Sequence, residues 1–304
     1  MNCPLPLPIF LIVLLSAVLA PLAWADEPAT AQPPSPKLDE WQFMLFNPTP
    51  DNQLRDMDTD RPNVTNTPHT IDAGHWQIET GIMDYIYYRD DSAGNNVRSD
   101  DFAFGQFNFR LGVLGNLELN AVLDVYETDR SQNISSHATF RARGIGDTIV
   151  GGKLNFWGNE GSAAVGCTAL AIQPQFKFPT ARNDIGNGRF EFSVTAPFLA
   201  NLPAGFHLGL QPGVSQERNS SNIGNVTGIP GSVSLDRAVF GNLDVYLEYA
   251  CHLTTEKHVT APQTVDIGGT YPLTKNIVLD AGVNVGLNRA SNNIEVLTGI
   301  SVRH

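Results

Sequence analysis

From Gly74 to His304 the chain alternates apolar and polar side chains with a period of two, the spacing that sends successive residues of a β-strand to opposite faces. The clearest run is Ile277 to Asn288. There Ile277, Leu279, Ala281, Val283, Val285 and Leu287 share one face, and Asp280, Gly282, Asn284, Gly286 and Asn288 share the other, with only Val278 blurring it. Leu117 to Tyr126 and Leu243 to His252 repeat the pattern. Weaker versions run over Trp76–Tyr88, Phe102–Val113, Thr148–Trp157, Val165–Phe178, Arg189–Phe198, Phe206–Ser215, Ser232–Phe240, Thr264–Tyr271 and Ile294–Val302. The total is about twelve strands, an even number as closure of a bacterial membrane barrel requires.

The connections point the same way. Short turns are expected at Leu114–Asn116, Gly158–Gly161, Asn201–Gly205, Gly241–Asn242 and Leu273–Asn276. Longer polar segments fall between them, at Asp90–Asp101, Thr128–Arg143, Pro179–Gly188, Gln216–Gly231, Thr254–Gln263 and, shorter, Arg289–Asn293. Strict alternation of short and long links is the signature of an up-and-down barrel with periplasmic turns and outer loops. The expected fold is all-β: a closed antiparallel transmembrane barrel over residues 74–304.

Composition narrows the class. Met1 to Ala25 holds no charged side chain, carries an apolar run from Ile9 to Ala20 and ends Ala23-Trp24-Ala25, which reads as a cleavable export signal. Beyond it no apolar stretch approaches the roughly 20 residues of a membrane-spanning helix. Residues 26–73 start rich in proline and show no sustained period, so a periplasmic arm is expected there. A formal charge of −12 without a basic stripe argues against nucleic acid as a partner. After export Cys167 and Cys251 remain, too few for a disulfide framework.

At Thr49 to Gly81 the chain resembles a family of bacterial outer-membrane proteins labelled as transporters or as phenol-degradation (MetA-type) proteins. The specific residues are Thr59-Asp60-Arg61-Pro62, Thr65, Thr67-Pro68 and Asp72-Ala73-Gly74-His75. Gly144-Ile145-Gly146-Asp147-Thr148 and Leu279-Asp280-Ala281-Gly282-Val283 are similar to later segments of that family. The resemblance covers roughly 49 to 304 and implies a barrel of about twelve strands that moves aromatic or other small hydrophobic compounds. It implies no catalytic residue. Barrels of this kind commonly end in an aromatic residue that the barrel assembly machinery, an expected partner, reads; here the last residues are Ser301-Val302-Arg303-His304.

If the apolar phase meets outer-membrane lipid, the other phase assigns Glu79, Arg110, Glu118, Asp124, Lys153, Lys177, Arg189, Glu191, Asp244, Glu248, Asp266, Asp280 and Glu295 to the lumen. Arg or Lys facing lipid at mid-membrane costs about 2 to 4 kcal/mol, so these charges belong inside. They could form a structural salt-bridge network or a selectivity lining. Asp60 and Arg61 precede the first strand, where Arg61 can reach a lumen carboxylate and act as a gate, or as a latch that pins the strand. Trp76, Tyr85, Phe102, Phe156, Phe178 and Tyr271 sit near strand ends, as an interfacial girdle would. Tyr126 and Tyr246 are expected to face inward.

No metal-ligand spacing, no Gly-x-Ser-x-Gly elbow and no helix-opening glycine loop appears, so neither cofactor, metal nor enzymatic activity is expected. Ser135-Ser136-His137 does not reproduce the arrangement of the outer-membrane phospholipase. The expected function is a passive channel for small solutes, aromatic or hydrophobic ones among them. The alternative is a non-transporting barrel with a sealed lumen.

Overall fold

The computed structural model describes residues 42–90, 96–181, 185–221 and 223–304; the export segment expected at 1–25 and the stretch from there to Trp41 lie outside them. Fourteen strand segments are present: β1 (Trp76–Asp90), β2 (Val97–Leu114), β3 (Leu117–Asn133), β4 (Thr139–Gly144), β5 (Thr148–Trp157), β6 (Thr168–Phe178), β7 (Glu191–Thr195), β8 (Phe198–Asn201), β9 (Phe206–Arg218), β10 (Asn225–Phe240), β11 (Leu243–Thr254), β12 (Gln263–Thr274), β13 (Ile277–Gly286) and β14 (Ile294–Arg303). All pair antiparallel, and β14 returns to β1 with Gln77 opposite Arg303, which closes the sheet.

Two staves are interrupted. Both β4 and β5 pair with β3, on either side of residues 145–147. Both β7 and β8 lie between β6 and β9, on either side of Ala196-Pro197, where proline has no N–H to give the ladder. The fourteen segments therefore make twelve staves, and the fold is the closed twelve-stranded all-β barrel that the alternation predicts. Among the described residues no helix is long and apolar enough to cross a membrane.

The packing inverts that of a water-soluble protein. The largest fully buried side chains are headed by Arg110, Lys153, Gln77, Gln173, Glu79, Glu118 and Glu248, while Phe107, Phe109, Leu123, Val150, Phe156 and Ile267 stand on the outer wall. Buried charge and a continuous apolar exterior are informative where a lone exposed leucine is not. They are what a barrel gains when lipid surrounds it and its backbone satisfies itself strand to strand.

Three features depart from the expected outline. The hairpins of β1–β2, β3–β4 and β9–β10 carry strand pairing deep into segments expected as loops, with Asp90 opposite Val97, Gln132 opposite Thr139 and Asn225 opposite Arg218. Above the apolar belt both faces are polar, so the period fades while the ladder continues. The turn expected at Gly158–Gly161 extends over residues 158–167, longer than the outer link 255–262, so the strict alternation of short and long links fails there. Its Asn159 is drawn into the barrel mouth, where its side-chain amide donates to Thr70 Oγ1 at 2.9 Å.

The third departure is a change of phase. On β2, Phe102 and Phe104 are exposed, and so are Phe107 and Phe109; the switch falls at Gly105, whose φ of +67° few other residues adopt. On β3 the consecutive Val125 and Tyr126 are both exposed. Tyr126 therefore points outward, a correction to its expected lumen position, because the side-chain phase turns over at the positive-φ Gly105 and its neighbour Val125 while the register stays the same. Tyr246 is buried inside, as expected.

The barrel reading makes a depth-dependent prediction. Ile267 is exposed in the middle of β12, and Leu273 is exposed near its end. Ile267→Arg is expected to lower the unfolding free energy of the refolded protein in vesicles by about 2 to 4 kcal/mol, and Leu273→Arg by about 0 to 1; denaturant titration of tryptophan emission checks both.

Candidate functional site in the barrel lumen

The stretch expected as a periplasmic arm, in its described part, enters the barrel. Leu45 N–H donates to Val113 O at 2.8 Å and Thr49 N–H to Ala73 O at 2.9 Å at the turn end of the sheet. Residues 55–72 then pass through the interior as irregular backbone before Gly74 and His75 lead into β1. Their backbone approaches the wall closely at Gly112, where an added Cβ would lie 2.1 Å from Asp72 O and 2.6 Å from Ile71 O. Only glycine fits.

Irregular backbone inside a membrane protein must find partners other than a ladder. Here wall side chains supply them. Glu248 accepts the N–H groups of Val64 and Thr65, each at 2.7 Å. Gln211 accepts from Asn66 N–H at 2.9 Å and donates to Val64 O at 2.9 Å. Gln173 accepts from the Asn66 amide, Asn155 donates to Pro68 O, and Glu118 accepts from Ile71 N–H, all at 2.9 Å. At the mouth, Arg55 pairs with Asp72 at 2.7 Å and donates to the carbonyls of Thr70, Gly115 and Asn159, while Arg303 donates to Arg55 O at 2.7 Å.

The centre of this plug is ionic. Arg110 grips Glu118 through Nε and Nη2 at 2.8 and 2.9 Å and reaches Glu79 through Nη1 at 2.8 Å. Lys153 Nζ lies 2.7 Å from Asp60 Oδ1 and 3.8 Å from Glu118. Four of these five side chains are completely buried and Asp60 is 7% exposed. Asp60 also accepts from Thr67 N–H, and its own N–H donates to Glu79. Deeper in the lumen Arg61 meets Asp280 at 3.3 Å and Gln106 at 3.4 Å. An alanine at Gly299 would place its Cβ 2.7 Å from Arg61 Nε.

Among the other lumen candidates, Glu248 and Asp266 are buried and Asp124 and Glu295 half-buried, on the inward phase of their strands. Asp266 accepts from Thr264 Oγ1 at 3.0 Å. Lys177 and Glu191 pair at 2.7 Å, and Lys177 reaches Asp147 of the Gly-x-Gly-Asp segment at 3.4 Å. Arg189 is the exception: it stands exposed ahead of β7, outside the lumen set, because the strand begins only at Glu191. The sequence reading passed over Gln173, Gln211, Asn155 and Asn159, uncharged residues of which the three on strands share the inward phase with the charges.

It also passed over His207 and Asp236, and over their meeting with Asp244, which it placed in the lumen without partners. They lie far apart in the chain, and the β9–β10–β11 ladder brings their ligand atoms within 4.8 Å of one another, with His207 Nδ1 2.8 Å from Asp236. They border a cavity of about 700 Å³ between the plug and the wall, which Tyr246, Asp58 and His69 also line. Cys167 and Cys251 are free thiols.

Asp58 couples the plug to this mouth. His69 Nδ1 lies 2.7 Å from its carboxylate, His69 Nε2 lies 3.1 Å from Gly158 O, and Thr67 Oγ1 donates to Asp58 as well. The Asp58 side chain is partly exposed where it lines the cavity, and desolvation by the surrounding protein opposes its charge. The hydrogen bond and charge of His69, with the Thr67 hydroxyl, outweigh that and hold it at about 2. A carboxyl depressed in the fold stabilises it above the ordinary value of 3.8, and the contribution is lost as pH falls through the depressed one. Asp58→Asn is therefore expected to lower the melting temperature above about pH 4, with the difference from the parent chain vanishing toward about pH 2; paired melts across that range read it.

Comparison with known proteins adds the family. No curated protein matches the chain. The COG4313 outer membrane channel from Pseudomonas putida F1 has the same fold, with a TM-score of 0.55 at 10% identity over 76% of this chain and 95% of that one. The NanC porin aligns at a TM-score of 0.44 and 8% identity over 75% of this chain and 98% of that one. The transport unit of the autotransporter AIDA-I from Escherichia coli aligns at 0.49 and 11%, over 82% and 92%. At 10% identity the likeness to the COG4313 channel speaks for the barrel fold alone. Residues 59–304 match the model of the family described as "Putative MetA-pathway of phenol degradation", a span that starts at the Thr59-Asp60-Arg61-Pro62 core of the plug, and the chain belongs to that family.

Proposed function

We propose that this barrel lies in the outer membrane and lets small solutes pass passively, with residues 55–72 as an internal gate. The observation that carries the reading is how the plug is held. It joins the wall chiefly through side chains, whereas the staves are joined by backbone ladders. The plug can therefore shift without opening the barrel, at the expense of hydrogen bonds that water can replace. The family's description favours aromatic solutes, and the cavity beside the plug offers the buried ring of Tyr246, whose hydroxyl has no hydrogen-bond partner among the described residues. Export through the 1–25 segment and delivery by the barrel assembly machinery belong to the same reading.

A second reading has its own support. The buried Asp60–Lys153–Arg110–Glu118–Glu79 network ties the plug to β1, β2, β3 and β5, which is what a permanent latch in a sealed barrel would need.

Arg61 separates the two. It pairs with Asp280, and Asp84 and Glu295 lie within its electrostatic reach. In planar bilayers Arg61→Ala is expected to raise single-channel conductance and to shift the reversal potential in a salt gradient toward cation preference, since carboxylates then line the path without a facing guanidinium. Unchanged conductance with lower heat resistance leaves only the latch.

A further inference from the structure

The outer wall carries a cationic recess that the lumen reading does not use. Arg130 of β3 lies directly opposite Arg141 of β4, and Arg143 lies opposite Thr128, on the phase of the exposed Tyr126. Arg98 of β2 lies across the same recess, 3.1 Å from Asp100, with its guanidinium 5.5 Å from the centre of the Tyr87 ring. The recess has a volume of about 1090 Å³ and is floored by Tyr85, Phe102, Met83 and Val296. Four arginines line it together with Asp100 and Asp129, and Asp101 beside it accepts the Arg130 N–H at 3.1 Å.

Such an arrangement needs an anion. Like charges directly opposite each other on a ladder destabilise it, and the side chains of Arg130 and Arg141 make no ion pair with a carboxylate of the described residues. Arginine on the outward face of a membrane barrel is costly at mid-membrane and nearly free only near the boundary. The aromatic rings beneath it are of the kind that settle at that boundary. Guanidinium groups hold phosphate oxygens in pairs, with the fixed fork that a carboxylate or phosphate matches.

We propose that this recess binds the phosphate-bearing headgroup of an outer-leaflet lipid. Arg130 and Arg141 clamp the phosphate from two adjacent strands, Arg98 and Arg143 flank it, and the acyl chains run down over Phe102 and Phe104. A free phosphate ion would satisfy the same arginines but would leave the apolar floor uncovered, so the two sources are separable. The proposal rests on the outer wall facing lipid and is independent of whether the lumen conducts.

The test is native mass spectrometry of the full refolded chain from detergent, with phosphatidic acid as the probe and phosphatidylcholine as the neutral control. The expected result is a one-to-one phosphatidic acid adduct in preference to phosphatidylcholine. Its affinity falls about tenfold in Arg130→Gln/Arg141→Gln and is mostly kept in Arg130→Lys/Arg141→Lys, as loss and retention of charge-assisted bonds would give. Heat-modifiable migration in gels confirms that each variant is folded, and the conductance assay tells failure here from failure of the channel reading. Equal affinity in the glutamine variant overturns the proposal. So does displacement of the lipid by inorganic phosphate at equal concentration, which would make the site one for the free ion.

Discussion

The structure depends on the buried pairing of Lys153 and Arg110 with Asp60, Glu79 and Glu118. Four of the five charges, the two cations among them, come from strands of the wall, and the fifth, Asp60, comes from a segment with no strand of its own. A buried charge deprived of its partner destabilises a protein by about 3 to 5 kcal/mol. Lys153 without Asp60 would be left with Glu118 at 3.8 Å, a carboxylate already gripped twice by Arg110. The wall is therefore built around a plug, and a barrel of this sequence with an empty lumen would hold an underpaired lysine at its centre.

That constraint orders the rest. With Asp60 fixed, Arg61 is carried toward Asp280, and Val64 to Asn66 reach Glu248 and Gln211 on the opposite staves. The return from Thr67 to Asp72 passes Asn155, Asn159 and Glu118 on its way to the first strand. Gly112 lets the last of this backbone lie against β2. The outer face answers to a different solvent and shows it, with aromatic and aliphatic side chains where a soluble protein would be polar.

Much of the barrel could be read in the chain because lipid on one side and a polar lumen on the other impose a period of two that survives in runs such as Ile277 to Asn288. Inward placement of Glu118, Lys153 and Glu248 follows from that period alone. The plug could not be read the same way. Its residues have no period, and their partners are scattered, with 219 positions separating Arg61 from Asp280 and 93 separating Asp60 from Lys153. Tyr126 and the Arg130 recess were hidden by the turn-over of phase at Gly105 and Val125, which leaves the composition unchanged. The Gly158 turn was misjudged in length because its extra residues, 162–167, are held by Asn201 at the end of β8 and carry no period of their own.

The central claim is that residues 55–72 occupy the lumen, bonded to the wall. Thr65 Oγ1 and Ser232 Oγ lie 2.7 Å apart, on the plug and on β10. Thr65→Cys/Ser232→Cys, with Cys167 and Cys251 replaced by serine, should form a disulfide under mild oxidation in the refolded protein. It should also give an oxidised form whose bilayer conductance is locked low and released by reductant. Failure of the two cysteines to cross-link in the folded barrel would contradict the account.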